Sequence, residues 1–280
     1  MRHALDSVIA DVSVLRRYSE ATSIYPKGPT QVSNARSSSA ERTFQVISAV
    51  ATRAGAGLSL SELAKECGMA LSSCHRYVST LQDLAVLERD SNGQIKLGVG
   101  LVALAEAYLG ADTLRNAARP HLVRLAAACG ETAHLGRLSG AGVVYVDKVE
   151  CDKSIRLVSR IGSTVPLHCS AMGKSILATL PAQDWQRYAS AATEHRTEYT
   201  LIGQDLIDEI GRVATQGWAI DEQENELGVR CLGAAIVSAT GVAVGALSIS
   251  GPADRFSRTD CRRIAPDVIS AARAIGARLY

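Results

Sequence analysis

From Ala40 to Arg53 the chain reads AERTFQVISAVATR, with apolar Phe44, Ile47 and Val50 or Ala51 at helical spacing and Val46 beside them. AGAG then breaks the period. The next period starts at Ser59-x-x-Glu62, a capping box in which each side chain satisfies a free amide of the helix start. Leu58 and Leu63 stand where a hydrophobic staple is wanted, and Gly68 ends the helix where a left-handed residue is wanted. A third helix is predicted from about Leu71 to Leu84, its apolar face Leu71, Cys74, Val78 and Leu81. VLERDSNGQIKLG follows, two short extended runs around Asn92-Gly93, which predicts a two-residue hairpin. Helix, helix, turn, helix, hairpin is the order of a winged helix-turn-helix.

Past Gly98 the texture changes. GVGLVALAEAYL, residues 98–109, is an apolar helix suited to a linker over 99–111, and Thr113 to Ala128 is a further helix around Pro120. HLGRLS, GVVYVDKVE and SIRLVSRIG then read as strands, and MGKSILATL and QDLIDEIGRVATQG as helices. RCLGAAIVSA and VAVGALSIS flank Thr240-Gly241 as a hairpin, and a helix from Asp260 to Arg278 closes the chain. Residues 112–280 are therefore expected to form one α+β domain, an antiparallel sheet flanked by helices. SIYPKGPTQVSNARSSS, within residues 1–38, is polar and rich in Ser, Pro and Gly, so that stretch is expected to be a flexible extension.

Composition removes several classes. A hydrophobic content of 47% over 280 residues suffices for two cores, and a net charge of +2 points to neither nucleic acid nor a membrane surface. Seven cysteines, odd in number and never spaced Cys-x-x-Cys, argue against a disulfide framework and a zinc knuckle. MRHALDSVIADVSVLRR lacks the apolar run of a signal peptide, and no window reaches the ~20 apolar residues of a membrane span. A reducing cytoplasm is the expected location, and no cofactor or metal is expected.

With one face of the third helix used for packing, Ser72, Ser73, His75, Arg76 and Ser79 remain for DNA, as do Arg89 and Lys96 at the wing. Residues 39–98 hold six Lys or Arg and six Asp or Glu, however, and a tri-helical core with polar outer faces has the same pattern.

Four further blocks, ETAHLGRL, VPLHCSAMGKSILA, DEQENELGVRCLGAAI and VGALSISGP, stand in order behind LSELAKECGMALSSCHRYVSTL and ERDSNGQIKLG. Together they resemble the isocitrate lyase regulator (IclR) family of bacterial transcription factors from about Ser39 to the C-terminus. The resemblance implies a winged helix-turn-helix over 39–98, a linker helix, and a GAF-like effector domain. It also implies a homodimer or dimer of dimers on a palindromic double-stranded DNA operator. Control of catabolic genes in response to a small organic acid is also implied, with repression the commoner mode. Its effector pocket carries over to Val165, Ala171, Met172, Asp221, Cys231, Ser248 and Ser250. Relatives usually carry a proline where this chain has Ala235, which bears on the local strand geometry.

The residues themselves suit that role. A helix start at Ala171 and Met172 offers free amides to a carboxylate. Ser248 and Ser250 alternate with Leu247 and Ile249, so both hydroxyls share one side of a strand. Asp221 is suited to accepting a hydroxyl or backbone amides, and Cys231, Val165 and Met172 to forming a soft wall. Met172 also suits a small or flat ligand. As ordinary alternatives, the serines face outward on a strand, Asp221 caps a turn, and Cys231 is a core thiol. His168 is expected to be structural and Lys174 to face solvent or a neighbouring loop. An enzyme reading pairs Cys231 with His168 or His134 on a small acid or amide, and a metal reading gathers Cys151, His168 and Cys169.

Overall fold

The computed structural model describes residues 38–53, 55–140, 142–154, 157 and 159–279. Apart from Ser38, the expected N-terminal extension lies outside them. The described chain divides into two compact units between Asp112 and Thr113.

The first unit runs α1 (Ser38–Thr52), α2 (Leu60–Glu66), α3 (Leu71–Asp83), β1 (Leu87–Arg89), β2 (Ile95–Leu97) and α4 (Gly100–Ala111). The capping box at Ser59 and Glu62 is formed in both directions. Leu58 and Leu63 are both buried beside it, and Gly68 adopts φ +61°. The core gathers Val46, Val50, Leu63, Cys74, Val78, Leu81, Leu87 and Ile95. Two expected core residues are outside it: Phe44 is 71% exposed and Leu71 54%. The buried stripe of α1 is Val46, Ala49 and Val50, two positions on from Phe44, and Leu71 opens α3 ahead of its first buried turn. The hairpin also differs from expectation. Only Gly93, not Asn92, has positive φ, and the Asp90 amide reaches Gln94 O at 2.9 Å while Gly93 N reaches Asp90 O at 3.0 Å. That is a type I turn followed by a left-handed glycine, the three-residue loop that needs one positive φ where the two-residue turn needs two.

The second unit opens with α5 (Thr113–Cys129). It continues with β3 (Thr132–Ser139), β4 (Gly142–Val149), β5 (Thr164–Pro166), α6 (Ala171–Leu177), α7 (Ala182–Ala191) and α8 (Gly203–Gln216). It ends with β6 (Ala219–Glu222), β7 (Val229–Val237), β8 (Ala243–Pro252) and α9 (Arg258–Gly276). One antiparallel sheet of six strands has the order β5-β4-β3-β8-β7-β6. SIRLVSRIG forms no strand among its described residues. Those residues form an irregular segment between β4 and β5.

Strand alternation divides this sheet into two faces. Ala133, Leu135, Leu232, Ala234, Ile236, Leu247 and Ile249 point one way and pack on α5 and α9 in the main core. The opposite face carries His134, Asp221, Cys231, Ser248 and Ser250, with Tyr145, and is partly covered by α6, on which α8 packs with α7 against it. There the strands approach α6 closely. A Cβ on Gly233 would lie 2.8 Å from the Ala171 carbonyl carbon, and one on Gly136 would lie 2.7 Å from Met172 Sδ. Helix α6 rests on the sheet because these positions have no side chain. Ala235 pairs regularly with Ala246, and the irregularity in β7 falls one residue later, between Ile236 and Val237.

Candidate effector pocket and nucleic-acid interface

On α3, burial of Cys74, Val78 and Leu81 turns the other faces outward. Ser72, His75 and Arg76 are exposed, and Ser73 and Ser79 half-buried. In the wing, Arg89 donates to Gly93 O at 3.3 Å and Lys96 Nζ stands 2.8 Å from the Asp90 carboxylate. Lys96 and the amides of Gln94 and Asn92 hold that carboxyl below its usual range, so Asp90 offsets part of the wing's positive charge. The seven residues thus fall on a helix face and on the β1–β2 hairpin.

In the second unit a cavity of about 260 Å³ opens between the polar face of the sheet and the start of α6. Val165, Ala171, Met172, Asp221, Cys231 and Ser248 line it. Ser250 does not. It lies behind Cys231, within reach of that thiol and 3.4 Å from His134 Nδ1. Ser170 caps α6: its Oγ accepts from the Gly173 amide at 3.0 Å and donates to Pro166 O at 2.5 Å. The amides of Ala171 and Met172, in the same first turn, are left uncapped by that side chain. Asp221 Oδ1 accepts from the amides of Glu224 at 2.8 Å and Asn225 at 3.3 Å, which fixes the turn after β6.

Burial dominates the electrostatics. It raises the Asp221 carboxyl to about 7, helped by Glu224 and opposed by Lys174. It pushes the Cys231 thiol well above its ordinary value, with Asp221 adding to the effect, and raises the Tyr145 phenol. A thiol kept protonated in this way is a packed wall, not an activated nucleophile. The metal reading scatters. Cys151 Sγ faces Thr132 Oγ1 at 3.9 Å, His168 Nε2 is 3.0 Å from Glu194 O, and Cys169 faces Asn225 Oδ1 at 3.8 Å. Among the described residues no group of three His, Cys, Asp or Glu is placed to hold a metal ion. Nor is any described helix long and apolar enough to cross a membrane.

Of the two expectations for Lys174, solvent and a neighbouring loop, the structure overturns the first and places it against the turn after β6. It has no exposed surface, and its Nζ pairs with the buried carboxylate of Glu224 and stands 3.8 Å from Glu209. Leu157, Ser159, Arg160 and Ser163 also line the cavity, and sequence reasoning missed them because their segment reads as a strand. Tyr145 was findable, since the pairing Gly136 with Tyr145 puts it on the polar face.

A helix-turn-helix unit joined to a domain with a ligand-sized cavity is the construction of a ligand-responsive transcriptional regulator. The profile for the IclR helix-turn-helix domain matches residues 39–91, and that for the bacterial transcriptional regulator IclR C-terminal domain matches residues 106–277. The chain belongs to the IclR family of bacterial transcriptional regulators. It is 32% identical over 238 residues to the HTH-type transcriptional regulator BhcR of Paracoccus denitrificans, covering 84% of this chain and 85% of that one. It matches the crystal structure of Thermotoga maritima IclR with a TM-score of 0.71 at 30% identity, over 85% of this chain and 97% of that one. An IclR homologue from Microbacterium hydrocarbonoxydans complexed with 4-hydroxybenzoate shares the fold, with a TM-score of 0.71 at 20% identity over 85% of this chain and 98% of that one.

Proposed function

We propose that this chain binds a palindromic operator as a homodimer or dimer of dimers and that a small organic acid in the second unit controls the binding. The cavity supports the acid most directly. It is small, and its lining sets uncapped amides of α6 and the hydroxyl of Ser248 beside the apolar Val165 and Met172. In this reading a carboxylate lies on the amides of Ala171 and Met172 and on Ser248. Asp221 accepts a hydroxyl of the ligand or donates its own proton, and Cys231 forms the soft wall. Ser250 acts from behind, through Cys231. That a protein of this fold is complexed with 4-hydroxybenzoate supports an acid as ligand.

Ser72, Ser73, His75 and Ser79 face base edges and phosphates of a major groove, while Arg76, Arg89 and Lys96 neutralise the backbone. Helix α4 supports a second copy as partner. It buries none of its residues, and Val99, Val102, Leu104 and Tyr108 are each more than half exposed at or beside it. Ligand acts on DNA only through different affinity for two arrangements of the paired heads. Repression is the simpler sign, because occupancy of a promoter suffices for it.

The test is fluorescence anisotropy of the full chain on DNA from upstream of its own gene and on random DNA of equal length, followed by titration with a panel of small organic acids. Preferential binding to the upstream fragment, shifted by one acid and insensitive to it in Asp221→Ala, is the expected result. Equal binding to both DNAs across operator candidates, or turnover of an acid that vanishes in Cys231→Ala, would overturn it.

A further inference from the structure

The polar face of the sheet holds one group that the effector reading does not use. His134, on β3, has no exposed surface, and its ring packs, tilted by 40° with centroids 4.8 Å apart, against Tyr145, which lines the cavity. Its Nε2 is 2.8 Å from Ser159 Oγ and its Nδ1 is 3.4 Å from Ser250 Oγ. Ser159 belongs to the segment between β4 and β5 that also brings Leu157, Arg160 and Ser163 to the cavity. The imidazole therefore joins a residue of the pocket lining to Ser250 on β8.

We infer that His134 is a positioning residue of the effector site: its Nε2–Ser159 bond latches residues 159–163 in the cavity wall. This rests on the effector reading for its purpose but not for its geometry. The segment is fastened at two places. At the first, His134 holds the Ser159 side chain and Lys148 Nζ donates to Ser159 O at 2.5 Å. At the second, Gly162 N donates to Tyr145 O at 2.7 Å and Tyr145 N to Ser163 O at 2.9 Å. Between them lies Arg160, whose backbone oxygen takes the Ser163 amide at 3.1 Å and which lines the cavity. With the first point released, the Gly162 and Ser163 bonds hold the segment alone, and they open more often. Burial, with Lys148 adding to it and Glu150 opposing, takes the imidazole down to about 3, so the ring is neutral and the latch is insensitive to pH across the ordinary range. One ring nitrogen donates and the other accepts, and either tautomer keeps both bonds.

Hydrogen exchange on the ligand-free full chain tests this, with no effector required. Ser159→Ala removes the hydroxyl and keeps the fold. Exchange at Gly162 and Ser163 is expected to rise roughly tenfold, the effect of losing one buried hydrogen bond, with α9 unchanged. His134→Asn, which keeps a polar group at the Nδ1 side only, is expected to match it. His134→Gln, which reaches the Nε2 position, is expected to restore protection. Trypsin cleavage after Arg160, assigned by mass, should follow the same order. Unchanged exchange in Ser159→Ala, or a rise spread equally over β3 and β8 in His134→Asn with no rescue by Gln, would make His134 a core-packing residue and overturn the latch. A latch that passes while no acid binds would remove the effector reading alone. Acid binding that depends on Asp221 while Ser159→Ala changes nothing would remove the latch alone.

Discussion

Asp221 and Lys174 show what burial does to single charges. The Asp221 carboxyl sits at about 7 in the fold, against roughly 3.9 in an unfolded chain. The folded state therefore binds more protons across that window, and its stability falls as pH rises through it. Asn at 221 retains an oxygen for the Glu224 and Asn225 amides but has no proton to lose. The stability of wild type relative to Asp221→Asn is expected to fall by at most about 1.4 kcal/mol per pH unit between about pH 4 and 7, then level off. Urea melts of both proteins at about pH 5 and about pH 8 measure this, and a pH-independent difference would place the carboxyl in its ordinary range. Lys174 has the complementary problem. Lys174→Met leaves the Glu224 carboxylate buried without its cation and is expected to cost about 3–5 kcal/mol. Lys174→Met with Glu224→Leu should recover most of that loss, as read by the same melts. Neither environment was visible in the sequence. A lysine in the fourth position of a helix reads as solvated, and only the crossing of α6 over β7 and the turn after β6 encloses it.

At the scale of elements, local signals were legible wherever a short stretch satisfies itself. The Ser59–Glu62 box, the left-handed Gly68 and the β7–β8 hairpin with Gly241 at φ +83° all form where the residues indicate. Helix α6 is different, because its position depends on what the sheet lacks. Gly233→Ala would put a methyl 2.8 Å from the Ala171 carbonyl carbon and 3.0 Å from the Met172 amide nitrogen. The helix must lift, at an expected cost of about 1–3 kcal/mol, and the cavity mouth changes with it. Thermal melts should show the second unit destabilised and the first unchanged. An unaltered transition would mean that α6 yields without strain. SIRLVSRIG failed as a strand prediction for a related reason. Among its described residues Leu157 lines the cavity, Ile161 is exposed, and Ser159 is held by a side-chain bond to His134, and none of them forms a strand.

For the whole molecule, the exposed apolar helix α4 is the largest unmet demand. In a 12-residue helix with no buried residue, Val102, Leu104 and Tyr108 are 57%, 65% and 53% exposed. Pairing with a second copy would cover such a surface. Val102→Glu with Leu104→Glu is expected to shift the protein to monomer in light scattering. It should also weaken operator binding by roughly 10²–10⁴, because two linked heads bind with an effective concentration that one lacks. A wild-type chain that is monomeric at micromolar concentration would refute the pairing. The balanced charge of residues 39–98, six cations against six acids, makes such doubling important for affinity.

The sequence alone determined the helix-turn-helix with its wing, the α+β character of the remainder and the family. Each is written in periodicity, caps, turns and contiguous blocks, which act over a few residues. It also indicated six of the residues that meet at the cavity, as positions carried over from the resemblance. Only the tertiary structure decided that Ser250 lies behind the wall, that Lys174 is buried, and that His134 meets Ser159 across 25 residues. Those outcomes depend on which strands become neighbours and on how closely α6 settles on the sheet. They are set by pairing and packing between distant segments, and no local pattern encodes them.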